Sequence, residues 1–369
     1  MYPLFGAHPL SKLLSDQYAF RPTGSTTVAL VSILNDLSEL TQIHPYAHII
    51  ALDFSKAFDT LRHQSVMSKL ASMPIPDFIF NWIADYLTGR AHSTKVHDTV
   101  SPPLPINASI VQGSALGPIL FALNSVDLKA VTAGNKIHKY ADDTYLIVPA
   151  SNSSTILMEL ENVSRWAENN NLKLNCNKSL EMIVSRVKGP SFNEPSALPA
   201  IARTKLLNIL GVTIDLNLSV SDHVSSIIIG ANQNLYALKT LKAHGLPINQ
   251  LDCVFKSTLV ARLIYASQAW IGFANQSEKH RLQSVLNKSQ KWKVCSSNQP
   301  ALADTLVVVD SDLFRKVVGN PSHILHALLP PLKAHNYSLR SRSHNFCLPN
   351  NSTAASRNFI HRMLFSNIY

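Results

Sequence analysis

Cysteine is scarce in this sequence. There are four, at positions 176, 253, 295 and 347. Their wide, irregular spacing supports neither a disulfide framework nor a zinc knuckle, and suits a reducing compartment. Long apolar runs are missing too: none approaches the roughly 18 residues that cross a bilayer. The N-terminal stretch MYPLFGAHPLSKLL lacks the layout of a signal peptide. Internal repeats and low-complexity tracts are absent, and charged residues make up only 15%. These absences argue against secreted, membrane-spanning and zinc-finger classes, and predict an intracellular protein, nuclear or cytoplasmic. What is present is apolar substance. Hydrophobic residues form 46% of 369, enough for a sizeable core and for roughly two or three domains of about 100–200 residues.

Acidic residues are scarce in one half only. Residues 1–200 carry 15 Lys+Arg against 16 Asp+Glu, whereas residues 201–369 carry 18 against 7. A near-neutral half followed by a basic one suggests chemistry in the first and a grip on a polyanion in the second. A solvated basic surface is the plainer alternative.

The periodicity runs from mixed to helical. Leu30, Ile33, Leu34, Leu37 and Leu40 share one helical face after a Thr23-Gly24 turn, and Ile49–Leu52 reads as a buried strand ending at Asp53. Helices are expected over 65–73, around Phe78, Trp82 and Tyr86, and after Pro118, where proline suits a first turn. Residues 92–111, broken by three prolines, read as a hairpin-like excursion. Residues 137–148 read as strand, tight turn, strand around Asp142-Asp143. Another helix spans Leu157 to Ala167. Short strands are expected at 182–185 and 207–214, with a surface loop over 187–204 and mostly helix from Ser221. The boundary falls near 215–220.

Acids that directly follow apolar strands carry the chemical interest. A carboxylate at a strand end is held rigidly while reaching solvent, which suits a hard cation. Two such ions can orient an attacking hydroxyl and stabilise a leaving oxygen. Turn chemistry is the commoner explanation of a single Asp at such a place, but adjacent like charges are an awkward choice for a merely structural turn.

Six ordered segments carry a family resemblance. They are Ala19-Phe20-Arg21-Pro22, Leu52–Thr60, Val111–Pro118, Tyr140-Ala141-Asp142-Asp143, Leu172–Ser179 and Leu210–Asp215. Together they resemble the reverse transcriptases of non-LTR (LINE-like, jockey-type) retrotransposons over about residues 15–225. The resemblance implies an α+β right-hand polymerase palm with partial fingers over 1–215, then a helical, basic, thumb-like region over 216–369. It implies an RNA-directed DNA polymerase that joins dNTPs to a primer on an RNA template. Asp53, Asp142 and Asp143 would hold two Mg²⁺ ions, with Mn²⁺ as a substitute. Phe58 would be the steric gate against a 2′-hydroxyl, Gln112 and Gly113 would face the nucleotide, and Arg21 would touch template or nucleotide phosphate. Lys178 would protonate pyrophosphate, and Leu210-Gly211 would form the primer grip. Taken alone, Phe58 reads as core, Gln112-Gly113 as a turn, Lys178 as a surface charge and Arg21 as packing.

The departures shape the expectation as well. Only about 15 residues precede the first matched segment, so the resemblance implies a fragment lacking an N-terminal endonuclease and most of the fingers, with weak activity. Ala19 stands where the family usually has glycine. A mobile-element remnant that only binds nucleic acid is the alternative. An unrelated two-metal hydrolase fits poorly with six motifs in order.

Overall fold

A computed structural model describes residues 10–110, 113–185, 194–333, 344–348 and 355–366. The principal elements begin with α1 (Thr26–Ile43), β1 (Tyr46–Leu52), α2 (His63–Ala71), α3 (Asp77–Leu87) and α4 (Gly117–Asn124). Next come β2 (Lys136–Tyr140), β3 (Asp143–Pro149), α5 (Ile156–Asn169), β4 (Leu180–Ser185), β5 (Ala202–Arg203), β6 (Leu206–Ile209) and β7 (Val212–Asp215). Helices α6 (Ser221–Ala243), α7 (Ile248–Val254), α8 (Gln276–Lys291), α9 (Leu302–Gly319) and α10 (Phe359–Phe365) follow. This is the mixed-then-helical order the periodicity predicts, and the α+β class the resemblance implies. The chain divides into two units. One takes in residues 1–25, 47–181 and 194–203, and the other takes in 26–46, 182–193 and 204–369.

The first unit is built on β2, β3 and β1 of a five-stranded sheet ordered β2-β3-β1-β4-β5. Strand β1 runs antiparallel to β3, from Ala47 opposite Pro149 to Leu52 opposite Thr144. Apolar runs at Ile49-Ile50 and Leu146-Ile147-Val148 fill the central strands, as expected when both faces are covered. Ile50, Leu52, Leu146 and Val148 join a core with Val66 and Leu70 of α2, Ile83 of α3, Leu120 of α4 and Val163 of α5. The register decides where chemistry can occur. Because Leu52 faces Thr144, the residue leaving β1 emerges beside the start of β3.

Two short pairings, Ala91–His92 with Leu104–Pro105 and Lys95–Val96 with Thr99–Val100, form the expected excursion. One buried acid needs an explanation. Burial alone would raise the pKa of Glu181, but His48 Nδ1 at 2.8 Å and Arg203 Nε at 2.9 Å bring it below its ordinary value.

In the second unit α1 packs on α10 and on a one-turn helix, Ser267–Trp270. The sequence predicts one apolar face for α1, yet Ser32, Asn35, Asp36 and Ser38 are buried as well. Asn358 Nδ2 donates to Asn35 Oδ1, so part of the polar face is buried because it has partners there. The single strand expected over 207–214 is a hairpin instead, because Leu210 (φ 48) and Gly211 (φ 85) form a two-residue turn. Consecutive left-handed residues are what such a turn requires. The loop expected over 187–204 is interrupted by β5, and its residues 187–193 lie outside the described residues. Helix α6 packs on α8, which opens with a reciprocal cap between Asn275 and Glu278. Among the described residues no helix is long and apolar enough to cross a membrane.

Candidate active site

Asp53 is fixed through its backbone. Its N–H donates to Ser179 Oγ at 3.1 Å, and its carbonyl accepts from Asn175 N–H at 2.8 Å. Beyond it Lys56 turns into the left-handed region (φ 48) and starts a one-turn helix, Ala57–Thr60. The chain thus leaves the sheet immediately after the carboxylate.

The second acidic position is the β2–β3 hairpin, where Tyr140 pairs with Asp143. Ala141 sits at φ 57, a conformation costly for alanine unless something holds it. Gln17 supplies the hold. Its buried carboxamide oxygen accepts from Ala141 N–H at 3.1 Å and from Ala19 N–H at 3.0 Å. Two residues before Ala141, the buried Lys139 ammonium donates to the carbonyls of Ser125 (2.6 Å) and Leu128 (2.9 Å) and lies 3.2 Å from Asp16. Burial brings its pKa down to about 8, against the opposing pull of Asp16.

The two hairpin acids feel the charge of Asp53. Burial raises the Asp142 pKa and the Asp53 charge adds to it, against a backbone hydrogen bond that lowers it. Asp143 is pushed up to about 6, by burial first and then by Asp142 and Asp53. Among the described residues no three His, Cys, Asp or Glu side chains are gathered tightly enough to hold a metal ion as they stand. By donor type and charge the trio nevertheless fits a hard divalent cation. The negative charge of Asp53 raises the pKa of both hairpin acids, and a divalent cation would offset that repulsion.

The other predicted residues are placed variously. Phe58 is half-buried, its ring 4.8 Å from that of Phe121. Gly113 is exposed at φ 82 with open space where a side chain would project, while Gln112 lies outside the described residues. Ser114 Oγ accepts from Gly117 N–H at 2.9 Å, starting α4 beside Gly113. Lys178 is exposed on the turn tied to Asp53, its N–H donating to Asn175 O at 3.1 Å. Arg21 is buried, with its guanidinium on the Leu14 carbonyl, and burial lowers its pKa. Leu210 and Gly211 belong to the second unit. There Tyr265 donates to Leu210 O at 2.9 Å and lays its ring against Gly211.

A family model described as reverse transcriptase (RNA-dependent DNA polymerase) matches residues 6–214, which takes in Asp53 and the acidic hairpin. The chain belongs to the reverse transcriptase family. Among curated relatives, the RNA-directed DNA polymerase from mobile element jockey of Drosophila melanogaster is 25% identical over 291 residues. The alignment covers 74% of this chain and 31% of that protein. The probable RNA-directed DNA polymerase from transposon X-element of the same organism is 26% identical over 287 residues, with 74% and 31% covered. The chain thus spans about a third of these relatives' length. Among solved structures, telomerase from Candida tropicalis in complex with a fragment of telomeric RNA has a TM-score of 0.46 at 13% identity. That match covers 88% of this chain and 52% of the telomerase chain.

Within this reverse transcriptase domain, sequence reasoning missed Gln17 and Ser179. Gln17 lies just outside the first matched segment. Ser179 lies inside the fifth, but a serine that bonds a distant backbone looks like any other serine until the strands are placed.

Proposed function

We propose that the chain acts as an RNA-directed DNA polymerase of a non-LTR, jockey-type retrotransposon, transferring nucleotides from dNTPs to a primer 3′-hydroxyl. The observation that carries this reading is geometric: the β1–β3 register sets Asp53, at the end of β1, beside the Asp142-Asp143 hairpin, and the Asp53 charge contributes to the raised pKa of both hairpin acids. Two Mg²⁺ ions held by these carboxylates, or Mn²⁺ in their place, would supply the charge that activates the hydroxyl and stabilises the departing oxygen. Asp53 and Asp142 hold them most directly, and Asp143 supports. Phe58, backed by Phe121, excludes a 2′-hydroxyl by volume. Gly113, with Gln112, lets the backbone approach base and sugar. Lys178 delivers a proton to the leaving pyrophosphate. Arg21, turned to Leu14, supports the segment carrying Gln17 rather than touching phosphate. Leu210-Gly211 is the primer grip.

We assign residues 1–215 to a palm with partial fingers and 216–369 to a thumb-like region that grips template and primer phosphates. Lysines on two packed helices support that grip. Lys239 and Lys288 flank the Trp292 ring at 5.2 and 4.7 Å, and the neighbouring Lys291 and Lys293 are exposed.

Primer extension tests the activity. With RNA template, dNTPs and Mg²⁺ the chain should lengthen a DNA primer, and Asp142→Asn should abolish it. Extension that survives in Asp142→Asn would overturn the assignment. No extension by the natural chain, with nucleic acid still bound, would leave a remnant that only binds.

A further inference from the structure

Ser179 is fully buried and ends the turn that carries Lys178. Its hydroxyl does two things at once: it accepts the Asp53 N–H at 3.1 Å and donates to the Asn175 carbonyl at 2.9 Å. Asn175 N–H returns a bond to Asp53 O at 2.8 Å, closing a ring of three hydrogen bonds. Further bonds tighten the same place. The Asn175 carbonyl accepts from the N–H groups of Lys178 (3.1 Å) and Ser179 (2.9 Å), and Ser55 N–H donates to Lys173 O at 2.9 Å. Phe54 and Leu174 form an isolated antiparallel bridge beside them. Both backbone polar groups of Asp53 are therefore fixed by a segment more than 120 residues away in sequence.

We infer that Ser179 is a positioning residue, whose hydroxyl locks the backbone of Asp53 to the Lys178 turn and so aims the Asp53 carboxylate at the acidic hairpin. This rests on the polymerase reading of the Asp53, Asp142 and Asp143 site. A buried N–H that loses its acceptor must move or stay unsatisfied, and here the displaced group belongs to the residue bearing the carboxylate. The same ring couples two distant functions. A shift of the Lys178 turn reaches the Asp53 N–H through the Ser179 hydroxyl and the Asp53 carbonyl through Asn175.

The full chain carrying Ser179→Ala, Ser179→Thr or Asp53→Asn tests this by Mn²⁺ titration, read as the midpoint of the metal-induced rise in melting temperature and as the Mn²⁺ midpoint of primer extension. Outer partners of metal-binding groups typically alter metal affinity by about 10–100-fold. Ser179→Ala should therefore raise both midpoints about ten-fold while melting cooperatively without metal. Ser179→Thr, which keeps the hydroxyl, should restore them. A merely structural serine would lower the melting temperature and leave both midpoints unchanged, and that result would overturn the inference. Should Ser179→Ala fail to fold, Ser179→Cys keeps the shape with a weaker acceptor; a natural midpoint in that variant would also overturn it. If Asp53→Asn responds to Mn²⁺ as the natural chain does, the site reading itself falls, and this inference with it.

Discussion

Protonating Asp143 is easier in the folded chain than in the unfolded one, because its pKa is raised from 3.8 to about 6. The sign of the linkage follows. A carboxyl with a raised folded pKa contributes stability that is fully present below about 3.8 and is lost as the pH climbs through about 6. Asp143 is also exposed to solvent, so after allowance for screening the effect should be about 1 kcal/mol. Asp143→Asn should stabilise the metal-free chain at pH 8 and leave it unchanged at pH 4, as read by urea unfolding. A destabilised variant at pH 8 would contradict the repulsion among the three acids. Divalent metal should remove the same penalty by binding the folded state. Mg²⁺ or Mn²⁺ should raise the melting temperature, and Asp53→Asn should reduce that rise by more than half.

Helix α6 carries a group whose pH dependence has the opposite sign. His223 is buried edge-on to Trp270, with ring centroids 4.9 Å apart, and its Nε2 has no hydrogen-bond partner. Burial brings its pKa down from 6.5 to about 4. Here the unfolded state takes the proton first, so stability is lost as the pH falls from about 6.5 toward 4. At about 1.4 kcal/mol per pKa unit the loss reaches about 3 kcal/mol. His223→Leu should flatten the fall in unfolding free energy between pH 7 and pH 4.5; an unchanged fall would show that other groups govern it. Elements like this also mark how far the sequence could be read. The β2–β3 hairpin and β1 were legible because β-rich runs stop abruptly at acids. The left-handed pair at Leu210-Gly211 was not, since leucine gives no sign of positive φ. Nor was the burial of Asn35 in α1, whose partner Asn358 lies 323 residues away. Asp53, Asp142 and Asp143 could be named from sequence, but their shared charge needed the β1–β3 register.

For the molecule as a whole, the basic second half should make nucleic-acid affinity depend on salt. Each phosphate neutralised contributes a slope of roughly −0.9 on a log–log plot for B-DNA. Binding of an RNA–DNA hybrid should therefore weaken with a slope of several units. Replacing Lys239, Lys288 and Lys291 by alanine should make it shallower by about 2–3 units if each meets one phosphate. An affinity indifferent to salt would refute the grip.

The interleaving of the two units carries a consequence for synthesis. The chain enters the first unit, leaves it for α1, and returns at residue 47, so α1 belongs with segments that are made much later. At about 5–20 residues per second, the 323 residues between Asn35 and Asn358 take roughly 15–65 seconds to translate. Throughout that interval a helix with Leu30, Ile33, Leu34 and Leu37 on its surface waits on the ribosome without its α10 partner. Such a nascent chain is a natural client for holding chaperones, and its yield should depend on them more than on the stability of the finished fold.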